Sequence, residues 1–181
     1  SNARKVKYMS KANKSNKAIK YRLYPNDEQK VMFAKTFGCC RFVYNQLLAL
    51  QKQRYKDGES HLSKLKSNEF ATRTLKKDYD FLKEIDKFAV SNAVFHLADA
   101  YDRFLKKQNH FPKFKSKRKS KKSYTTNFTN NNILIGKNVI KLPKVGMVKA
   151  VIHKLPKDDW KLKSVTVSQD SVGNYFAAVL F

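Results

Sequence analysis

The spacing of apolar residues along the chain is the feature that most limits its fold. Residues 18–24 alternate apolar and polar side chains, as a half-buried strand does. Residues 26–107 place apolar side chains three or four positions apart, the period of amphipathic helices, and from 124 to 181 the spacing returns to two. Because a lone strand needs partners, the sequence predicts that the first strand joins the later ones and that the helices are inserted between them.

The expected fold class is therefore α+β, with a small antiparallel β-barrel interrupted by an inserted helical block. Ser1-Asn2-Ala3 has the look of a remnant left by tag removal. The expected divisions are a tag remnant and basic arm at 1–16, a first strand at 17–25, a helical, helix-turn-helix-like recognition insertion at 26–107, a basic linker at 108–123 and the rest of the β domain at 124–181.

Local signals place the ends of these elements. Asn26 follows a proline and precedes two acidic residues, which predicts the start of a helix. Asp86 can cap a later helix, whose apolar stripe is the clearest in the chain. A weaker helical pattern lies between the two, and the stretches 136–138 and 171–174 are typical of tight turns between antiparallel strands.

The chain is strongly basic. It carries 39 Lys and Arg against 14 Asp and Glu, a formal net charge of +25, which favours a polyanionic partner. A phosphate backbone is the polyanion we favour. An anionic membrane surface or an acidic protein is the alternative, but the sequence has no apolar run of membrane-spanning length and no secretory signal pattern.

The residues that could hold a catalytic metal are scattered. The four histidines fall in separate segments, and the two cysteines are adjacent, which excludes a disulfide between them in a regular helix. The nearest approach to clustered carboxylates is Asp158-Asp159 or the pair Asp78 and Asp80, which a turn and a helix end explain more simply. We therefore expect no cofactor in this chain, no small-molecule substrate and no cleavage by the chain alone.

The densest candidate binding site is the stretch 111–122, which contains no acidic residue. Long cations beside aromatic rings suit contacts to a nucleic-acid backbone and stacking on unpaired bases. The alternative is a solvated basic linker, but a linker needs no such density of one charge sign, so we favour binding. The residues expected to contact the backbone are Lys113, Lys115, Lys117, Arg118, Lys119, Lys121 and Lys122, with Phe114 and Tyr124 as stacking candidates.

Three further residues are candidates for nucleic-acid contacts. Arg41 and Asn45 lie one helical turn apart, a spacing that could present a guanidinium and an amide to base edges or phosphates. Ordinary helix-surface polarity explains that pair equally well. Arg22 lies on the polar face of the first strand, the face that could meet phosphate.

Five blocks, in the same order, resemble the N-terminal half of the transposon-encoded TnpB proteins, also called OrfB. Together they cover nearly everything from Lys17 to Phe181. The blocks are residues 21–26 (YRLYPN), 37–45 (FGCCRFVYN), 111–117 (FPKFKSK), 140–146 (IKLPKVG) and 163–168 (KSVTVS).

This resemblance implies an RNA-guided DNA endonuclease related to type V CRISPR effectors, with a wedge-like β-barrel, a helical recognition domain and a RuvC nuclease domain. The family's first catalytic aspartate follows a segment like 173–176, and this chain stops at Phe181 before that strand. The nuclease acids and zinc ribbon are thus expected to be absent. Magnesium and zinc are expected only in the missing C-terminal part, so no catalytic residue can be assigned here.

The resemblance also implies the partners. The expected function is the nucleic-acid-binding N-terminal portion of such a protein, which grips guide RNA and target DNA in a prokaryotic cytoplasm, at the nucleoid. Sequence specificity would then come mostly from base pairing. The alternative is a stand-alone helix-turn-helix protein that binds DNA at transposon ends.

Overall fold

The computed structural model describes residues 15–181, so most of the expected arm at 1–16 lies outside the described residues. Seven strands and four α-helices make up the regular structure. The strands are β1 (Ala18–Tyr24), β2 (Lys122–Asn127), β3 (Leu134–Ile135), β4 (Val139–Leu142), β5 (Gly146–Val151), β6 (Ser164–Gln169) and β7 (Tyr175–Leu180). The helices are α1 (Asp27–Lys56), α2 (Lys64–Glu69), α3 (Lys76–Asp78) and α4 (Lys87–Leu105), with a π-helical segment at Phe70–Leu75 and a 3₁₀ turn at Asp80–Lys83.

The strands form one antiparallel sheet in the order β2-β6-β7-β1-β5-β4-β3. β1 lies between β7 and β5, and its Arg22 pairs with Phe176 on one side and Val151 on the other. The α+β class and the prediction that the first strand joins the later ones are therefore confirmed. All four helices lie in sequence between β1 and β2.

The predicted β-barrel is wrong, because the sheet stays open between its edge strands β2 and β3. β3 is only two residues long and pairs with β4 alone. A barrel must continue its pairing around a full circle. In this fold helices, instead of opposing strands, cover the inner face of the sheet.

α1 begins where the sequence predicts. The Asn26 side chain accepts a hydrogen bond from the Gln29 amide (2.9 Å), and the Gln29 side chain accepts one from the Asn26 amide (3.0 Å), a reciprocal capping box. Asp27 and Glu28 add negative charge to the first turn. The helix then runs uninterrupted for 30 residues.

α1 packs its aromatic residues against the inner face of the sheet. Phe33 is fully buried, with ring centroids 5.5 Å from Tyr175 of β7 and 6.2 Å from Tyr124 of β2. Phe37, one turn on, lies 5.8 Å from Tyr124. The helices and the sheet therefore share one hydrophobic core.

The rest of the helical block packs around α1 and α4. Gln51 of α1 donates to the Leu62 carbonyl and accepts from the Leu62 amide, both at 3.0 Å, and so holds the loop that leads to α2. Asp86 caps α4 by accepting from the Phe88 amide at 3.0 Å, as predicted. Asn92 of α4 donates to the Thr125 carbonyl of β2 at 2.8 Å, which ties the block to the edge of the sheet.

Replacement of Phe33 by alanine should lower the free energy of unfolding by about 3–5 kcal/mol, because it leaves a cavity between α1 and the sheet. Urea unfolding followed by circular dichroism measures the change. Val31→Ala is the control on the same helix, because that side chain is 56% exposed. Equal losses in the two variants would contradict this account of the helix–sheet contact.

Candidate nucleic-acid interface

Residues 113–122, which we call the basic segment, are anchored at both ends. Just before them Phe111 packs into an aromatic cluster, edge-on to Phe104 at 4.9 Å and near Tyr101 at 5.8 Å. At the other end Lys122 opens β2 and pairs with Gln169 of β6. Ser116 also accepts a hydrogen bond from the Lys119 amide at 3.1 Å, which closes a local turn. The fold therefore holds the segment at both ends and in one local turn.

Asn45 holds the middle of the basic segment to α1. Its side chain donates to the Lys115 carbonyl and accepts from the Lys115 amide, each at 2.8 Å. These two bonds use one of the two N–H donors and one of the two acceptor lone pairs of the amide. Asn45 therefore positions the segment, and its contact with base edges or phosphates stays a prediction.

Lys115 is turned toward the protein. Its ammonium group lies 4.1 Å from the centroid of the Tyr44 ring, a cation–π contact. Partial desolvation lowers the pKa of Lys115 from its ordinary value. Lys115 is exposed overall, as the other cations of the segment are, but its ammonium group also contacts α1.

The remaining cations of the basic segment are exposed. Within residues 15–181 every ion pair joins residues between 35 and 106, so no carboxylate pairs with a cation of the segment. The sequence has no acidic residue between Asp102 and Asp158. The positive charge at Lys113, Lys117, Arg118, Lys119, Lys121 and Lys122 is therefore available to an external anion.

The two predicted stacking residues lie in opposite environments. Phe114 is 52% exposed, with the Lys52 ammonium 5.8 Å from its ring centroid. Tyr124 is only 4% exposed and packs against Phe33 and Phe37. Tyr124 is therefore not exposed at the outer surface of the segment, and its stacking role stays a prediction. Phe114 is still sterically open to a base.

The outer face of the sheet adds residues that the sequence analysis did not select. Lys20 of β1 lies 4.5 Å from the ring centroid of the half-buried Phe176 of β7, and the Arg22 guanidinium lies 5.5 Å from the same centroid. A groove of about 670 Å³ joins Lys20 and Phe176 to the basic segment, and its other lining residues are Arg118–Lys122, Ser168, Gln169, Asp170 and Ser171. The alternation of apolar and polar residues in β1 indicated this face, because it places Lys20 and Arg22 on the same side of the strand.

Arg22 and Arg41 lie on different surfaces. Arg22 donates to the Asn174 side chain at 2.8 Å, and its buried Nε has no hydrogen-bond partner among the described residues. Arg41 lies on α1, beside the pocket beneath the basic segment. The two predicted arginines are therefore not part of one cluster.

The cysteines and the other possible metal ligands of the described residues do not form a metal-binding cluster. Among residues 15–181, no three His, Cys, Asp or Glu side chains come together in a way that could hold a metal ion. Burial raises the pKa of Cys40 to about 12, so its thiol stays protonated and donates to the Ala89 carbonyl. The helices of the described part of the chain include none that is long and apolar enough to cross a membrane.

The chain is similar in sequence to known proteins. Residues 13–60 match the helix-turn-helix domain family of OrfB proteins of the IS605 type. A "Putative RNA-guided DNA endonuclease" of Streptomyces pristinaespiralis is 30% identical over 166 residues, which make up 91% of this chain and 41% of that protein. The chain is a relative of the TnpB/OrfB proteins. The "Putative RNA-guided DNA endonuclease InsQ" of Escherichia coli K12 is 29% identical over 106 residues, 55% of this chain and 25% of InsQ.

The chain thus spans about two-fifths of the length of the first OrfB relative and a quarter of the second. Residues 15–60, the described part of the helix-turn-helix match, contain β1 and the single helix α1. The next helix of the block, α2, begins only at Lys64. In this OrfB relative the matched region is therefore a strand followed by a long helix that packs on the sheet.

Replacement of Asn45 by alanine should free the middle of the basic segment, because both hydrogen bonds to Lys115 are lost. We expect trypsin to cut within 113–122 several-fold faster, with a loss of about 1–3 kcal/mol in unfolding free energy. Limited proteolysis with mass spectrometry measures the cutting. Gln46→Ala, at the next position of the same helix, is the matched control. Equal cutting in both variants would show that Asn45 does not position the segment.

Proposed function

We propose that this chain is the nucleic-acid-binding part of a TnpB/OrfB-type protein, and that it grips the guide RNA and the target DNA paired with it. The observation that carries the proposal is the basic segment. Its cations have no carboxylate partners among the described residues, and the fold holds it in place from both ends. The names of the relatives and the matched domain family support nucleic acid as the partner.

The groove beside the basic segment suggests how a strand would be held. Lys119 and Lys121 line it together with Lys20 and Phe176 of the sheet, and the lining also includes one carboxylate, that of Asp170. A phosphate backbone contacts cations of this kind without regard to sequence, and exposed rings stack on unpaired bases. We infer that the groove follows the backbone of a structured RNA or of an RNA–DNA heteroduplex.

The anchors of the basic segment would favour tight binding. A segment that is already in its bound shape loses less conformational entropy when its ligand arrives. Asn45, Phe111 and the pairing of β2 with β6 each limit the movement of the segment. We therefore expect the isolated chain to bind RNA tightly.

We assign DNA cleavage to other parts of a longer protein. Its relatives are named as endonucleases over lengths that this chain only partly spans. The contacts proposed here are made by lysine, arginine and aromatic side chains, which need no metal ion. Binding of RNA by this chain should therefore persist in a metal chelator.

A matched pair of variants tests the basic segment. Replacement of Lys117, Arg118, Lys119 and Lys121 by glutamine should weaken RNA binding and reduce the slope of log K against log salt by about 3, because about 0.7 of a counterion is released per single-strand contact. Equilibrium binding at several salt concentrations measures the slope.

The control for these variants removes the same charge elsewhere. Lys35, Lys64, Lys83 and Lys106 lie in the helical block and pair with carboxylates there. Their replacement by glutamine also removes four positive charges, yet should leave the slope nearly unchanged. Equal slopes for the two quadruple variants would mean that net charge, and not the basic segment, binds the RNA.

The alternative, a stand-alone DNA-binding protein of transposon ends, is favoured by the name of the matched domain family. A competition experiment separates the two. RNA transcribed from the flank of the chain's own gene competes with duplex DNA from the transposon end, at near-physiological salt. Preference for the RNA supports the proposed function, whereas preference for the duplex supports the alternative.

A further inference from the structure

A second cavity lies on the other side of the basic segment, between α1, α4 and the start of β2. Its volume is about 270 Å³, close to the lower limit of about 300 Å³ for small-molecule pockets, which suits one planar group better than a chain. We call it the α1–α4 cavity. Ser120, Lys121 and Lys122 line both this cavity and the groove described above, so the two adjoin at the segment.

The inner walls of the α1–α4 cavity are aromatic and small apolar side chains. Phe37 and Tyr44 of α1 and Tyr124 of β2 contribute rings, and Ala89 and Ala93 of α4 face them. Alanine leaves the space open where a larger residue would fill it. The walls therefore suit a flat group that packs between rings and methyl groups.

The rim of the same cavity is cationic. Arg41, Lys115, Lys121 and Lys122 line it together with the hydroxyl groups of Ser120 and Ser123, and no carboxylate does. None of these four cations takes part in an ion pair within residues 15–181. A bound phosphate would give Lys115 the counter-anion that its partly desolvated ammonium lacks.

We propose that the α1–α4 cavity receives a single nucleotide of the bound RNA, turned out of its stack, with its base between the aromatic walls and its phosphate on the cationic rim. This inference rests on the proposed function, and it names the unit that the protein would recognise. An apolar interior beside an unpaired cationic rim matches both parts of a nucleotide, whereas inorganic phosphate would use only the rim.

The nucleotide should come from a loop or bulge. Bases in single-stranded parts of an RNA are already free to leave the helix, and proteins commonly bind them by stacking. A paired base would first have to break its pairing. The α1–α4 cavity would then select RNAs with one unpaired nucleotide at a set distance from the backbone bound in the groove.

The methyl groups of the cavity walls provide a direct test. We expect the ¹³C-methyl signals of Ala89 and Ala93 to shift on addition of the flanking-gene RNA, because a stacked base exerts a ring current on them. Ala71 and Ala177 are buried elsewhere and serve as internal controls. Equal shifts with inorganic phosphate alone would identify an anion site and overturn the nucleotide proposal.

A pair of variants tests the cavity by filling it. Ala93→Leu should reduce RNA affinity about tenfold, the loss of one stacked base, and lower the salt slope by at most about 0.7, the one phosphate contact on the rim. Ala98→Leu makes the same change on the same helix at a position that does not line the cavity. Thermal unfolding of both variants shows whether each is folded.

The outcomes separate this inference from the proposed function. RNA binding with unmoved Ala89 and Ala93 signals, or equal affinities for the two leucine variants, overturns the nucleotide cavity and leaves the proposed function in place. Failure of the unaltered chain to bind the RNA overturns both.

Discussion

The docking of α1 on the inner face of the sheet is the contact on which the rest of the structure depends. Phe33 and Phe37 pack against Tyr124 and Tyr175, which belong to strands far from α1 in the sequence. This contact explains why the sheet remains open, since α1 occupies the space that the opposite wall of a barrel would fill. This docking also positions the segments whose backbone bonds to side chains of α1.

Three amide side chains along α1 bond to the backbone of other segments of the chain. Gln29 donates to the Met147 carbonyl at the start of β5, Asn45 holds Lys115, and Gln51 holds Leu62. In each case a polar side chain on the surface of the helix bonds to backbone outside the helix. The basic segment is therefore presented by a rigid helix, with one surface toward the groove and the other toward the α1–α4 cavity.

The sequence predicted the features that depend on local spacing. The alternation of β1, the capping residue Asn26 and the apolar stripe of α4 all report their own surroundings, and the structure confirms them. The Asn45–Lys115 clasp joins residues 70 positions apart, which no local pattern encodes. The alternation in β2 places Tyr124 on one face but cannot say which face is buried.

The nucleic-acid interface that we propose consists of the basic segment and the adjoining face of the sheet. Ultraviolet crosslinking of the chain to the flanking-gene RNA, followed by mass spectrometry of the crosslinked peptides, would locate the bound RNA on the protein. We predict crosslinks in peptides from residues 113–122 and in the β7 peptide that contains Phe176. Crosslinks confined to the outer surface of the helical block, between residues 64 and 83, would contradict the account.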